Sequence, residues 1–432
     1  MKKLSILLAA SLLIACGSSD EPSEPSEQEG PGEAIQSELE RDQSPSVAAD
    51  TKAQLSADNR AFAFDLLHAI RDFEDDDNIF YSPHSISIAL AMTYAGATGQ
   101  THEQMSQTLR FMLDEEELHP AFNALDLELA TRSEVDVEDG DPPVLNVVNA
   151  TWGQYDMPFF DDYLDTLAVH YGAGLRGVDF VSEPDEVRQR INQWVKDQTE
   201  ERIKDLLPEG SVNSGTALVL TNAIYFLAGW HHEFDEDNTT DHSFRRRDGS
   251  EITVDMMRQT ESFQTHLGDE THAISLPYVG EELSLIALKP ADEDADYDAW
   301  EEAQTADSFD EVIDGLQMGH GDVALPRFRI EGDYPLKAIF EDMGWTNMFE
   351  LGRLADVDGL EITDILHKSF IDLDEEGTEA AAATAVIIGE GSAPIADDFD
   401  LTFDRTFLYA IYDHPTDTIL FMGRVDDPTE ED

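Results

Sequence analysis

Residues 374–391 read DEEGTEAAAATAVIIGEG, a charged turn followed by four alanines, a threonine and then mainly β-branched residues, with no proline before Pro394. The alanines suit a helix, whereas Thr384, Val386, Ile387 and Ile388 lower its propensity. As a strand, the same stretch places Thr378, Ala380, Ala382, Thr384, Val386 and Ile388 on one face, all of them small or β-branched. Such a strand slides between two others with little steric penalty, and every residue donates to a ladder because none is proline. The segment is built to accept two backbone states.

Working outward, Phe407–Tyr412 and Thr418–Val425 flank His414, Pro415, Thr416 and Asp417, which is a hairpin signal. Upstream, ALVLTNAIYF (217–226) is a mainly apolar run with strand propensity, long enough for a central strand covered on both faces. Ser85 to Gly96 is apolar nearly all round and stops at glycine, so a helix there belongs in the middle of a large core. Asp58 to Phe73 has helical apolar spacing, with Asp58 as the expected cap. Helical segments and strands are interspersed without βαβ regularity, which predicts an α+β fold.

The amino end has a different character. Lys2 and Lys3 precede an apolar stretch to Ala15, too short to span a bilayer and typical of an export signal. Its last residues, Leu13, Ile14, Ala15 and Cys16, resemble the bacterial lipobox, in which the cysteine is lipidated and becomes the first mature residue. Gly17 follows instead of aspartate, so the expected location is the outer membrane or cell surface. From Gly17 to about Lys52 there are ten acids and two bases and almost no large apolar residues. That composition predicts a self-repelling tether. The expected organisation is therefore a signal at 1–15, lipidated Cys16 with a tether to 53, one domain at 54–428, and an acidic tail at 429–432.

Several chemistries are excluded or weak. With 93 acids against 26 bases the formal charge is −67, which repels phosphate backbones and anionic headgroups, so nucleic acid is not an expected partner. Contact with a membrane is expected through the lipid only. The lone cysteine cannot form an internal disulfide or a CxxC pair. Residues 96–101 resemble a phosphate loop superficially but lack the lysine and follow a helix. His231, His232, Glu233 and His242 match no zinc spacing, and Asp292, Asp294, Asp296 and Asp298 lack the glycine and terminal glutamate of a calcium loop. No GxSxG elbow occurs. No cofactor, metal or catalytic residue is expected.

Five blocks in order carry a resemblance over residues 54–428: NIFYSPHSISIALAMTYAGATGQTHEQ (78–104), LVLTNAIYFLAGW (218–230), residues 324–349, the stretch 374–388 and ILFMGRV (419–425). On these the chain is similar to the serpins. The resemblance implies three β-sheets, eight or nine helices and an exposed reactive loop near the carboxyl end. It also implies a monomeric suicide inhibitor, which traps a protease by inserting its cleaved loop into the central sheet; it is not an enzyme. The target class is serine proteases, with cysteine proteases as the alternative. A non-inhibitory member acting as a binding module is the competing reading, opposed by the small residues of the hinge.

By motif, Glu375, Glu376, Gly377, Thr378 and Glu379 match the hinge, and Ala380, Ala381, Ala382 and Ala383 the first residues to insert. Ser82, Ser85, Asn222 and His367 match positions under the sheet where strands part, the shutter. Trp230, Arg327 and Glu375 match the breach at the top of the sheet, with Arg327 expected to pair with Glu375. Counting seventeen residues from Glu375 puts the reactive bond at Gly391-Ser392. Glu390-Gly391 is the alternative, and attack after Ile388 a third.

Overall fold

The computed structural model describes residues 33–35, 37–73, 78–135, 137, 142–357, 359–378 and 398–429, without the side chains of 33, 34, 146–149 and 222–225. In chain order, β1 (Glu33–Ile35), α1 (Ala49–Phe73), β2 (Ile79–Tyr81), α2 (Pro83–Tyr94), α3 (Gly99–Thr108) and α4 (Glu115–Ala130) come first. Next are β3 (Val144–Gln154), α5 (Asp161–Tyr171), β4 (Leu175–Val178), α6 (Pro184–Gln198) and β5 (Leu218–Gly229). They are followed by β6 (Thr240–Arg245), β7 (Glu251–Leu267), β8 (Thr271–Pro277), β9 (Leu283–Pro290), α7 (Tyr297–Glu302), α8 (Ala306–Asp314), β10 (Gln317–Pro326), β11 (Phe328–Pro335) and α9 (Leu336–Asp342). The last are β12 (Leu366–Leu373), β13 (Gly377–Thr378), β14 (Phe399–Thr402), β15 (Phe407–Asp413) and β16 (Thr418–Val425).

The apolar helix expected from Ser85 is α2, and it starts two residues earlier. Ser82 caps it by accepting from the Ser85 amide at 3.2 Å, and Pro83 occupies the first turn, where no N–H is needed. All twelve of its residues are buried. Residues 96–101 do precede a helix, α3, but the start of that helix is already occupied: the Glu350 carboxylate accepts from the Gln100 amide at 2.5 Å and fills the space a Gly99 side chain would need.

Two further expectations are corrected. Asp58 does not cap a helix: α1 begins at Ala49, and the Asp58 carboxylate, buried in mid-helix, accepts from the Gln54 side chain at 2.8 Å and the Met112 amide at 3.3 Å. The expected tether is also shorter at its carboxyl end. Residues 33–35 form β1 on the edge of β4, and Arg41 binds Asn123 and Asp126 of α4. Backbone pairing and a few long-range polar contacts hold a segment that has too few apolar groups to fold by itself.

The central sheet has the order β1-β4-β3-β5-β13-β12-β11. The other nine strands share one hydrogen-bonded network through the long β7, along which β6 and β10 pair first and β8 takes over from Gln264. Divided at that handover, the molecule has three sheets, and with nine α-helices among the described residues it is α+β. Helix α2 packs between β5 and β16, and Phe80 of β2 stacks on Phe421 of β16 at 5.3 Å while its amide donates to Tyr334 of the central sheet. A second, smaller core lies under α6, where Trp152, Phe180 and Ile191 meet.

The β15–β16 hairpin is the expected one, and buried ion pairs hold it. Arg424 donates to Glu301 at 3.0 Å with both side chains fully buried, and Arg132 donates to Asp413 at 2.5 Å. Removing one member of such a pair strands the other charge in a low dielectric. Glu301→Ala should therefore cost about 3–5 kcal/mol, read as a lower denaturant midpoint for the intact chain. An unchanged midpoint would show that the pair does not hold the hairpin.

Candidate functional site

Strands β5 and β12 lie side by side in parallel, with the register Lys368↔Ala223. Toward the Gly229 end of β5 they are separated by β13, which pairs antiparallel with both: Gly377↔Gly229 and Thr378↔Ala228 on one side, Thr378↔Leu373 on the other. A strand in that slot replaces one parallel contact by two antiparallel ones, the slightly better arrangement per residue. Gly377 is required there, because a Cβ would come 2.2 Å from the Ala228 carbonyl oxygen. Thr378, 1% exposed, shares a hydrogen bond of 2.8 Å with the Tyr278 hydroxyl. The Tyr278 ring stacks on Trp230 at 4.7 Å and meets Phe226 edge-on at 5.1 Å.

The turn that feeds β13 is fixed by its own backbone. The Asp374 carboxylate accepts from the amides of Glu376 at 2.9 Å and Gly377 at 3.2 Å, and its amide donates to the Gly377 carbonyl. Trp230 holds the turn twice: its amide donates to Glu376 O and its indole to Asp374 O, each at 2.9 Å. The Phe234 amide donates to Glu375 O. Burial pushes the carboxyls of Asp374 and Glu376 above their ordinary values, and neighbouring carboxylates add to the effect.

Arg327 and Glu375 do come together, with Arg327 Nε 3.6 Å from Glu375 Oε1. Each has a closer partner. Arg327 Nη2 donates to Asp255 at 2.9 Å, and the Glu375 carboxylate accepts from the Thr239 hydroxyl.

Alternation along β12 gives the seam two faces. On one, His367 and Ser369 point toward α2 and β2: the Ser82 amide donates to His367 Nε2 at 3.2 Å, Ser82 Oγ donates to Leu420 O at 2.6 Å, and Ser369 Oγ donates to Phe80 O at 2.6 Å. Ser82, Ser85 and His367 are thus gathered at the start of α2, fully buried. Asn222 is placed by its backbone pairing with Asn149, and its side chain lies outside the described residues. On the other face Phe370 is flanked by Arg329 at 4.8 Å and by Arg202, from the segment after α6, at 5.5 Å.

Of the expected hinge, Glu375 to Thr378 are described, and Gly377 and Thr378 already sit in the sheet, ahead of the alanines expected to enter first. Glu379, Ala380, Ala381, Ala382, Ala383, Ile388, Glu390, Gly391, Ser392 and Cys16 lie outside the described residues. Tyr278, Thr239, Asp255 and Phe234 were not foreseen; they reach the hinge from distant parts of the chain, and no local pattern marks them. His231 lies 3.6 Å from Glu281, and His242 Nδ1 is 3.4 Å from Arg258. No group of three metal-binding side chains occurs among the described residues.

Comparison with known proteins gives one consistent result. The family described as "Serpin (serine protease inhibitor)" matches residues 57–428. The leukocyte elastase inhibitor of Equus caballus is 37% identical over 388 residues, covering 87% of this chain and 100% of its own. An uncharacterized serpin-like protein of Thermococcus kodakarensis is 36% identical over 375 residues, covering 86% and 85%. Among solved structures, uncleaved ovalbumin matches with a TM-score of 0.75 at 26% identity, covering 87% of this chain and all of its own. Human thyroxine-binding globulin complexed with its hormone matches equally, at 0.75 and 26%, covering 88% and 100%.

Two buried imidazoles, His84 of α2 and His367 of β12, report on packing in the core. Burial pushes His84 down to about 4 and His367 down to about 3. Both folded values lie below the ~6.5 of a free imidazole, so their contribution to stability is full above that pH and is lost as the pH falls toward the folded values. His367→Gln keeps an acceptor for the Ser82 amide without a titrating ring. Its thermal midpoint should fall less steeply than the wild type's between pH 7 and 4.5, and equal slopes would show that His367 does not titrate on unfolding.

Proposed function

The chain belongs to the serpin family, and from that premise we propose that it is a suicide inhibitor of a serine protease. The protease attacks the reactive loop as a substrate. Its serine oxygen bonds to the scissile carbonyl carbon, the amide nitrogen leaves with a proton, and the inhibitor chain is held as an ester. The freed loop then enters the seam between β5 and β12, carrying the protease with it, and deacylation stalls.

One observation carries this reading: Gly377 and Thr378 already occupy the first two places of the missing strand. The residues that follow, Glu379 and Ala380 to Ala383, are small or flexible enough to continue it. Support comes also from relatives named for inhibiting leukocyte elastase. The small residues of the hinge disfavour the competing reading of a non-inhibitory member acting as a binding or structural module. The reactive bond is Gly391-Ser392, with Glu390-Gly391 the alternative for a glutamyl-preferring protease and Ile388 for an elastase-like one. Cysteine proteases are a second target class, and the inhibitor acts as a monomer.

We place the protein outside the cytoplasm, anchored through a lipid on Cys16 to the outer membrane or cell surface. No helix among the described residues is long and apolar enough to cross a membrane. The surplus of acids keeps the domain solvated and favours approach of a basic protease over an acidic one.

Incubation with a panel of serine proteases should yield a complex that survives SDS, with the loop cut at the bond named above. Cleavage of the loop by every protease with full retention of protease activity would refute inhibition. Thr378→Arg puts a charge where the native side chain is buried, and should turn the inhibitor into a substrate that is cut without trapping. Undiminished trapping by that variant would refute the insertion register.

A further inference from the structure

The segment between β1 and α1 crosses from one half of the central sheet to the helices that carry the other half. Resting on the loop-insertion reading above, we propose that residues 33–35 and 37–48 are a clasp that resists opening of the β5–β12 seam and so preserves the uninserted, active state.

The division into halves follows from the ladders. Strands β5, β3, β4 and β1 are paired continuously, and helix α5 joins β3 to β4, so they move together when a strand enters beside β5. Strands β12 and β11 are tied through Phe80 to β2 and β16, on which α2 and α1 pack; α4 packs both on α1 and on α5, with His119 sharing a hydrogen bond of 2.6 Å with Tyr171, and so bridges the two halves. Entry of a strand must part the halves by the ~4.8 Å spacing of neighbouring strands.

The clasp grips both. On the first half, β1 pairs with β4 through Glu33↔Gly177 to Ile35↔Leu175, the Ser37 hydroxyl donates to Asp165 of α5, and the Asp42 amide donates to Val169 O of α5 at 3.0 Å. On the bridging helix, Arg41 Nε donates to Asn123 Oδ1 at 2.8 Å and Arg41 Nη2 to Asp126 at 2.5 Å, both on α4. Asn123 Nδ2 returns a hydrogen bond to Asp42 O at 2.7 Å. The Arg41 stem lies so close to Gly172, at the end of α5, that a Cβ there would stand 2.7 Å from Arg41 Cδ. The chain then runs into α1, where Lys52 meets Glu128 of α4 at 3.0 Å. Parting the halves by a strand's width shears α4 from α5 or from α1, and loads the segment that crosses both contacts, from β1 and Asp42 on β4 and α5, through Arg41 on α4, into α1. The clasp thus stabilises the closed seam and is lost at the barrier. These contacts have no part in holding the hinge, which lies beyond β5 on the far side of the sheet.

The test uses the full-length chain and the variants Arg41→Ala and Asp126→Ala, which remove one contact from its two ends. Each is incubated without protease, and conversion to the inserted form is followed by the fraction acquiring the thermal midpoint of loop-cleaved wild type. Each variant should convert about tenfold faster, the ratio for ~1.4 kcal/mol at the barrier. The double variant should be no faster than Arg41→Ala, which already removes the contact that Asp126→Ala removes. Amides of Leu175–Val178 should exchange faster in both. Conversion and exchange at the wild-type rates would overturn the clasp while leaving inhibition intact. Loop-cleaved wild type with an unraised midpoint would overturn loop insertion, and the clasp with it.

Discussion

Strands β5 and β12 point the same way and touch where a chain of opposite direction fits between them. A sheet in which two parallel neighbours pair at Lys368↔Ala223, with an antiparallel strand begun at one end, is a sheet one strand short of its best arrangement. The rest of the architecture keeps that deficit in place. Helix α2 and the buried Ser82–His367 contact support the seam from one side, and Phe370 between two arginines closes the other. At the hinge end, Trp230, Tyr278 and the Asp374 turn hold Gly377 and Thr378 in the slot. Under the proposed inhibitory mechanism the native fold is a kinetically held state, whose further stabilisation waits on a cut in the loop.

Much of this was legible in the residues themselves. A helix apolar on every side had to lie inside a large core, and α2 does. The run at 217–226 had to be a central strand, and β5 is one, from Leu218 to Gly229 in the middle of the sheet. The small-residue face beginning at Thr378 implied a strand that could be added, and the first of those places, Thr378, is filled, with Gly377 ahead of it. What local pattern could not give were contacts set by tertiary geometry. A strand of two residues has no period to read, so the seating of Gly377 and Thr378 was invisible. The hydroxyl that receives Thr378 comes from Tyr278, and the carboxylate nearest Arg327 is Asp255, each far away in the chain.

The amino-terminal segment shows the opposite failure. Its acids, serines and prolines argued for a tether throughout, and for residues 33–48 that reading does not hold. One arginine in a region otherwise short of bases supplies two of the anchoring bonds, and backbone pairing with β4, the Ser37 hydroxyl and the Asp42 backbone supply others. Composition measures how much apolar surface a segment can bury; it says nothing of an edge strand elsewhere that is waiting for a partner. Asp58 teaches the same lesson inside a helix, where a buried carboxylate has the look of a cap until the preceding turn is seen.

The most direct test of the seam is a crystal structure of the chain after its loop has been cut, read at Lys368 and Ala223. Insertion predicts that these two residues no longer pair and stand about 10 Å apart, two strand spacings, with a new antiparallel strand beginning at Gly377 between them. Retention of the Lys368↔Ala223 register in the cleaved chain, with nothing beyond Thr378 in the sheet, would contradict it.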